Sequence, residues 1–261
     1  VQAKGDNQTH EGQTGGTYID KWADGVQADN GSKVAVDGNV TSEKGRAIDS
    51  HGSEVTVNGN VHSEKESAIN ARDGSTITID GSVSSNVGIS LGGIIETTDS
   101  TIKITKDVKA KNAWGILAGP GTDIEVGGNV SSEKEAVYIS GKDALIVVDG
   151  NVYSTKGCAM DILEQAEATV KGDVTGNKLA IWMDNCSKLQ SLGKISSNDV
   201  GILLSLYDAQ GTGELDLGTI DAQTAISINY GEYKDIDKIL AALPEMTVYK
   251  MNADTLLRLY T

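Results

Sequence analysis

Residues 55–69, VTVNGNVHSEKESAI, decide the fold, because the chain repeats their pattern along most of its length. Two apolar residues flanking a polar one lead to a Gly-Asn corner, and a valine, a serine and an Ala-Ile pair follow. The corner glycines, with one lysine in their place, are Gly38, Gly59, Gly81, Lys106, Gly128, Gly150, Gly172, Gly193 and Gly218, at intervals of 21, 22, 25, 22, 22, 22, 21 and 25 residues. A fixed period near 22 residues indicates a repeat architecture.

A second, apolar position recurs with the same period. Its predicted members are Val26, Ile48, Ile69, Ile89, Ile116, Val137, Met160, Ile181, Ile202 and Ile226, and eight of the nine intervals are 20 to 24 residues. Alternation such as Val55-Thr56-Val57 predicts strands with their β-branched residues inward. A unit of this length, at roughly 3.3 Å per residue, is too short for a propeller blade and suits one turn of a parallel β-helix.

We therefore predict an all-β protein built around a single-stranded, right-handed parallel β-helix of about ten coils. The solenoid is predicted to span residues 21–230, after a polar leader at 1–20. Residues 231–261 are predicted to form a small C-terminal α/β cap, because 235–243 has apolar residues at helical spacing and 246–251 alternates like a strand. The alternative interpretation of this end is a linker into a further domain.

Composition limits the classes of function. The chain has 31 glycines, two prolines and no phenylalanine, which fits a turn-rich β protein in which Gly and Asn supply positive φ at the bends. The net charge of −15 argues against a nucleic-acid partner and is explained by solubility. Cys158 and Cys186 fall at different offsets in successive coils, so we predict two free thiols. No membrane-spanning segment is predicted.

Two columns of small polar residues are predicted to be structural. The residue after the corner is Asn39, Asn60, Ser82, Asp107, Asn129, Asn151 or Asp173, and such side chains can hydrogen-bond along a stack. Four residues after the corner come Ser42, Ser63, Ser85, Ala110, Ser132 and Ser154, which suits a tight corner rather than a row of nucleophiles. The Ser-Glu-Lys runs at 42–44, 63–65 and 132–134 are predicted to form a solvated edge with Glu beside Lys in adjacent coils, and the alternative is a charged recognition stripe.

We predict neither a metal site nor a cofactor. The three histidines, His10, His51 and His62, do not form a ligand set. The sequence has no Gly-rich phosphate loop ahead of a helix and no Gly-x-Ser-x-Gly elbow.

The candidate site lies in the outward column beside the apolar position. Its predicted members are Asp49, Asn70, Ser90, Leu117, Tyr138, Asp161, Trp182, Leu203 and Ser227. Tyr138 and Trp182 are then two coils, about 9–10 Å, apart with Asp161 between them, and Leu117 and Leu203 extend the stripe at either end. Aromatic faces suit sugar rings, and a carboxylate accepts hydrogen bonds from hydroxyls. The alternative is that loops cover these side chains and that the aromatic residues have no binding role.

The VDGNV and VNGNV corners and the Gly-Ser-x-Val-x-Val loops resemble those of bacterial secreted and surface parallel β-helix proteins, of the pectate-lyase-like and adhesin or autotransporter-passenger type. The resemblance covers about residues 20–230. It implies a secreted or cell-surface location and a partner that is a polysaccharide or a host or cell-surface protein. We expect a non-catalytic protein that binds glycans or acts as an adhesive or structural spacer.

The resemblance also implies an alternative, since many such β-helices are polysaccharide lyases or glycoside hydrolases. Their catalysis needs a stacked group of acids on one sheet, or calcium-binding acids with a basic residue. In this chain Asp161, with Asp184 in the next coil, is the acid pair that the sequence offers to a hydrolase. None of the three arginines, Arg46, Arg72 and Arg258, is predicted to lie near these acids.

Overall fold

The computed structural model describes residues 24–86, 93–184, 186–205 and 213–229, together with the backbone of four strands outside these ranges. The protein is a parallel β-solenoid with a repeat of about 22 residues, and the described residues contain no α-helix. Each coil contributes one strand to each of three parallel ladders, which we call the first, second and third faces. The all-β parallel β-helix predicted from the period is confirmed, and its right-handedness stays a prediction.

The first face is formed by Lys33–Asp37, Glu54–Asn58, Thr76–Ile79, Thr101–Ile104, Asp123–Val126, Leu145–Val148, Glu167–Val170, the beginnings of Lys188–Ser196 and Glu214–Asp221, and Thr247–Tyr249. The second face is formed by Gln2–Ala3, Val40–Ser42, Val61–Ser63, Val83–Ser85, Val108–Ala110, Val130–Ser132, Val152–Ser154, Val174–Thr175, and the ends of Lys188–Ser196 and Glu214–Asp221.

The third face is a separate ten-stranded parallel sheet. Its strands are Val26–Asp29, Ile48–His51, Ile69–Arg72, Gly93–Thr97, Trp114–Ala118, Val137–Ser140, Met160–Leu163, Leu179–Asp184, Val200–Ser205 and Thr224–Asn229. Outside the solenoid, Thr9–Glu11 pairs with Thr17–Ile19 in an antiparallel hairpin. The rest of the predicted 1–20 leader, and the predicted helix at 235–243 in the C-terminal cap, lie outside the described residues.

The core is a stack of aliphatic side chains in register from coil to coil. Ile48, Ile69, Ile95 and Ile116 are direct partners in successive strands of the third face, and all four are fully buried. On the first face, Val55 and Val57 are buried while Thr56 between them is half-buried, so the predicted alternation is confirmed. Full burial of each such side chain stabilises the fold by about 1.5–3 kcal/mol, which explains how a slim solenoid can form without disulfides. Cys158 and Cys186 are free thiols, as predicted.

One member of the apolar column was assigned wrongly from the sequence. The partner of Ile69 and Ile116 on the third face is Ile95 rather than Ile89. The extra residues of this 25-residue interval therefore precede the strand, and the outward neighbour in this coil is Glu96 instead of Ser90.

The column after the corner forms a hydrogen-bonded ladder, as predicted. The backbone N–H of Asn60 donates to Oδ1 of Asn39 at 2.8 Å, and the N–H of Ser82 donates to Oδ1 of Asn60 at 2.9 Å. The same bond recurs from Asn129 to Asp107, from Asn151 to Asn129, from Asp173 to Asn151 and from Lys194 to Asp173. These side chains satisfy backbone donors that the turn leaves without a strand partner, which gives the column its structural role.

The serine column is also structural. Ser63 Oγ donates to the carbonyl of Gly45 in the preceding coil at 2.9 Å and accepts the N–H of Glu66 at 3.1 Å. Ser154 makes the equivalent bonds to the Lys134 carbonyl and the Gly157 N–H. Both serines are buried, so neither hydroxyl is presented to a substrate.

The corner glycines have a different physical cause from the predicted one. Gly81 has no positive φ, but a Cβ at this position would lie 2.2 Å from the carbonyl oxygen of Gly59 in the preceding coil. Close backbone stacking therefore requires glycine here. Positive φ occurs at the first corner glycine, Gly38, with 117°, and in the Gly-Ser loops, for example 58° at Gly52 and 79° at Gly74.

Across the first face, cations and carboxylates of neighbouring coils form exposed ion pairs. Lys33 pairs with Glu54 at 2.6 Å and Lys103 with Glu125 at 2.6 Å. Exposed pairs of this kind contribute little to stability because solvent screens them, so this face is a solvated surface whose charges compensate locally. Within the described ranges, no helix is long and apolar enough to cross a membrane.

Candidate functional site

The predicted stripe is continuous on the third face. Leu117, Tyr138, Asp161, Trp182 and Leu203 are direct partners in five successive strands. These residues are aligned because of the repeat: the outward residue next to the buried apolar position occupies the same place in every coil. The two aromatic and two leucine side chains are half-buried, whereas Asp161 is only 8% exposed.

A third aromatic residue, Trp114, contacts the stripe at Tyr138. The rings of Trp114 and Tyr138 are stacked, with centroids 5.3 Å apart and planes 7° from parallel. Trp114 is the first residue of its third-face strand, two residues before Ile116. Farther along, Trp182 Nε1 donates to Ser205 Oγ at 2.9 Å. Both contacts fix ring orientation, so the stripe presents pre-positioned aromatic surface.

Asp161 has an unusual environment for a surface carboxylate. Its Oδ1 atom is buried and has no hydrogen-bond partner among the described residues. Burial raises the pKa of Asp161 to about 6, the nearby thiol of Cys158 lowers it, and the neighbouring charge of Glu135 raises it. The thiol itself lies within hydrogen-bond distance of the carbonyl oxygens of Met160 and Ala180. Burial also raises the pKa of the Cys158 thiol, which therefore stays protonated at neutral pH. The stripe thus contains a carboxyl group that changes charge near neutrality.

Replacing this group should change how stability depends on pH. The pKa of Asp161 is higher in the folded state than the ordinary value of 3.8, so the folded protein binds the proton more tightly and loses stability as pH rises from about 4 to 6. Asp161→Asn removes this loss. We expect the variant to match the parent near pH 4 and to exceed its unfolding free energy by on the order of 2 kcal/mol at pH 7.5.

Urea unfolding at several pH values between 4 and 7.5 measures this difference. Asp123→Asn, at an exposed position of the first face, serves as the control for removing a carboxylate that is not buried. A pH-independent difference for Asp161→Asn would show that burial does not perturb this carboxyl group.

A groove of about 490 Å³ opens beside the stripe. It is lined by Asn70, Ala71, Arg72, Glu96, Thr97, Thr98, Leu117, Ala118, Gly119, Pro120, Tyr138 and Ser140. One end therefore consists of Leu117 and Tyr138, while the other carries an arginine, an amide and a carboxylate. An apolar wall with a few convergent polar groups is the usual composition of a small-molecule or sugar site.

The polar end of the groove is held by a network on the outward side of the third face. Asn70 Nδ2 donates to Asp49 Oδ1 at 2.5 Å, and Arg72 Nε donates to Asn70 Oδ1 at 3.3 Å. Arg46 pairs with Asp49 at 3.2 Å, and His51 lies 3.5 Å from the same carboxylate. Asp49 is thus fully engaged, while the exposed guanidinium of Arg72 retains donors that face solvent.

Glu96 is the acid that the sequence assignment missed. It is half-buried between Asn70 and Leu117, and Ser67 Oγ donates to its Oε1 at 3.0 Å. The column therefore contains Asp49, Glu96 and Asp161. Glu96 and Asp161 are three coils, about 14 Å, apart, which exceeds the carboxyl separations of glycosidases.

Asp184, the predicted partner acid of Asp161, has a structural role. It accepts hydrogen bonds from the N–H of Glu164 at 2.6 Å, the N–H of Cys186 at 3.0 Å and the hydroxyl of Ser187 at 2.8 Å. It is buried and caps a turn. Asp184 is therefore engaged within its turn, and the carboxylate whose charge acts on Asp161 is that of Glu135, which precedes the strand Val137–Ser140.

No family model, curated protein or solved structure matches the chain. We therefore infer the chemistry of the site from its own residues. Of the histidines in the described ranges, His51 lies between Asp49 and Asp73, and His62 contacts Ser84 and Glu64. The described residues contain no group of three or more His, Cys, Asp or Glu side chains placed to hold a metal ion.

The sequence assignment missed two functional candidates for different reasons. Glu96 was missed because Ile89 was taken as the apolar residue of this coil, which made Ser90 the outward residue. The alternation Ile95-Glu96-Thr97 is the same pattern that marks the strand in the neighbouring coils. Trp114 is the first residue of its strand, three residues before Leu117, and so falls outside the outward column. The signal that points to Trp114 is its position two residues before Ile116, where Arg46 and Cys158 occur in other coils.

Proposed function

We propose that this protein is a non-catalytic glycan-binding β-helix that holds an extended neutral sugar chain along the third face. The observation that carries the proposal is the stacked Trp114–Tyr138 pair, aligned with Trp182 along one stripe and open to the adjacent groove. Sugar rings pack on such aromatic faces, and their hydroxyls find acceptors in Glu96 and Asp161 and donors in Arg72.

The location of the protein, its biological role and its partner are also part of this proposal. The VDGNV-type corners resemble those of bacterial secreted and surface β-helix proteins of the pectate-lyase-like and adhesin type. On that resemblance we place the protein outside the cell or on its surface, where a glycan-binding solenoid acts in adhesion or as a spacer. The partner is then a polysaccharide or a glycosylated cell-surface protein.

A polysaccharide lyase or hydrolase is the second candidate, because the raised pKa of Asp161 suits a general acid. The structural role of Asp184 and the distance to Glu96 weigh against it. An assay for new reducing ends and for unsaturated products on a polysaccharide panel separates the two functions. Product formation that disappears in Asp161→Asn would favour the enzyme.

The double variant Tyr138→Ala/Trp182→Ala tests the binding function. We expect the affinity for the best ligand in a panel of neutral cello-, xylo-, manno- and malto-hexasaccharides to fall at least tenfold, since two stacking surfaces are lost. Loss of the Trp114–Tyr138 contact should cost about 0.5–1.5 kcal/mol of stability beyond the lost area, so the variant stays folded. Isothermal titration calorimetry and thermal unfolding measure the two effects.

Leu192→Ala provides the matched control, because this side chain is 56% exposed and lies outside the stripe. It should leave affinity unchanged. Full affinity in a folded double variant would place the sugar site elsewhere, and unfolding of the double variant would show that the rings are packing residues.

A further inference from the structure

The second face carries a groove that the neutral-glycan proposal does not use. Its volume is about 630 Å³, and it is lined by His62, Ser84, Ser85, Asn86, Lys109, Ala110, Lys111, Ser131, Ser132, Glu133, Tyr153 and Thr155. We call this surface the second-face groove. It lies on a different face from the stripe, so a ligand in one need not contact the other.

The floor of the second-face groove is one outward column. His62, Ser84, Lys109, Ser131 and Tyr153 are partners in successive strands. Lys109 and Tyr153 are thus two coils, about 9–10 Å, apart with only a serine between them. Because the Ser131 side chain is small, a concavity remains between the longer side chains of Lys109 and Tyr153.

Tyr153 is unusual among the aromatic residues. It is 40% exposed, and it belongs with Leu192 to the few large apolar side chains that are exposed in the described ranges. The ring lies on the groove surface rather than against a neighbouring ring. An exposed ring in a concave, polar setting provides a stacking surface for a sugar.

The charges of this groove differ from those of the first face. There, lysines such as Lys33 and Lys103 pair with a carboxylate of the next coil. Among the described residues, no ion pair within 4.0 Å involves Lys109 or Lys111, both of which are exposed. The neighbours of Lys109 in its column are the hydroxyls of Ser84 and Ser131. Two ammonium groups therefore face the groove in a chain whose net charge is −15.

Carboxylates at the rim limit what can enter. Hydrogen bonds from Asn86 and His62 lower the pKa of Glu64, and one from Lys156 lowers the pKa of Glu133. The charge of Lys111 lowers both pKa values further, so this lysine is partly compensated by the two carboxylates. Both carboxylates are therefore charged at neutral pH and repel anions on either side of Lys111. A ligand with closely spaced charges meets this repulsion, whereas one isolated anionic group fits between the lysines.

We propose that the second-face groove binds an acidic sugar unit within a glycan of low charge density. The sugar ring packs on Tyr153 above Ser131, and its carboxylate or sulfate accepts hydrogen bonds from Lys109 and Lys111. The two anionic groups share the chemistry that an ammonium pair recognises. This inference does not rest on the neutral-glycan function of the third face.

The test uses the full chain and three trisaccharides that differ at one substituent: a glucuronate, the corresponding 6-sulfated glucoside and the corresponding neutral glucoside. Calorimetric titration at 50 mM and 300 mM NaCl gives affinity and its salt dependence. We expect at least one acidic sugar to bind ten times or more tightly than the neutral one, with weaker binding at the higher salt. The preferred acidic sugar identifies the anionic group.

The variant Lys109→Gln/Lys111→Gln should reduce the affinity for the acidic sugar at least tenfold, and Tyr153→Ala should reduce it at least fivefold. Lys142→Gln removes an exposed lysine outside the groove and should leave the affinity unchanged. Equal affinity for the neutral sugar, or unchanged affinity in the lysine double variant, would overturn the proposal.

Two further measurements distinguish sugar binding in this groove from capture of a free anion and from binding on the third face. Sodium sulfate binding as tightly as the sulfated sugar would overturn the role of the sugar ring. Tyr138→Ala/Trp182→Ala should retain the acidic-sugar affinity, so failure of the third-face proposal leaves this one standing. Loss of acidic-sugar binding in that variant would place the acidic sugar on the third face.

Discussion

Ile69→Asp should unfold the protein at 25 °C. Ile69 is fully buried and is stacked between Ile48 and Ile95 in the core of the third face. The substitution removes an aliphatic side chain, which costs about 2–5 kcal/mol, and buries an unpaired carboxyl group at a further cost of several kcal/mol. The sum is comparable to the whole stability of an ordinary domain. Far-ultraviolet circular dichroism and urea titration measure the loss.

Two control variants show whether the loss of stability comes from burying a carboxyl group or from any substitution in this coil. Ile69→Val keeps the shape and should cost about 0.5–1.5 kcal/mol. Glu64→Ala alters an exposed carboxylate in the same coil and should change stability by no more than about 0.5 kcal/mol, because solvent screens its interactions. Equal melting temperatures for Ile69→Asp and Glu64→Ala would contradict the assignment of inside and outside.

The sequence was sufficient to predict the structure of a coil, because the same local pattern recurs in successive coils. Val55 and Val57 alternate with a polar residue in one coil, and Ile77 and Ile79 do so in the next, so the inward side is specified many times over. The Asn60 side chain illustrates the same point. An asparagine one residue after the corner in successive coils lies within reach of the next backbone N–H of the stack.

The prediction from the repeat was wrong in the coil where the repeat length changes. Between Gly81 and Lys106 the interval is 25 residues, and both Ile89-Ser90-Leu91 and Ile95-Glu96-Thr97 have the apolar and polar residues of a strand. Period alone does not say on which side of a strand the extra residues lie. Pairing does, because the strand must meet Ile69 and Ile116 in register, and Ile95 fulfils that condition.

The candidate site was only partly predictable for a related reason. Periodicity assigned Tyr138, Asp161 and Trp182 to one outward column, but it carries no information on side-chain conformation. The stacking of Trp114 on Tyr138 depends on the rotamers of two side chains in neighbouring strands. The burial of Asp161, and therefore its raised pKa, depends on how neighbouring side chains cover it. Both properties arise from packing between coils rather than from the sequence of one coil.

Gly81→Val should cost at least about 3 kcal/mol, at the upper end of what overpacking costs. The corner is buried, and a Cβ at Gly81 would lie 2.2 Å from the carbonyl oxygen and 2.5 Å from the carbonyl carbon of Gly59. Both of these atoms belong to the backbone, so relief requires the two coils to separate. Separation would also lengthen the bond from the Ser82 N–H to Asn60 Oδ1.

The next coil supplies the matched control. Lys106 occupies the same corner, is exposed and already carries a side chain, so its backbone is arranged to accept a Cβ. Lys106→Val should therefore change the unfolding free energy by only about 0.5 kcal/mol. Urea unfolding of both variants distinguishes the causes. If Gly81→Val were as stable as Lys106→Val, the glycine column would reflect turn preference alone. A large loss confined to Gly81→Val would mean that coil spacing, set by the Asn ladder and the core, requires glycine at the corner.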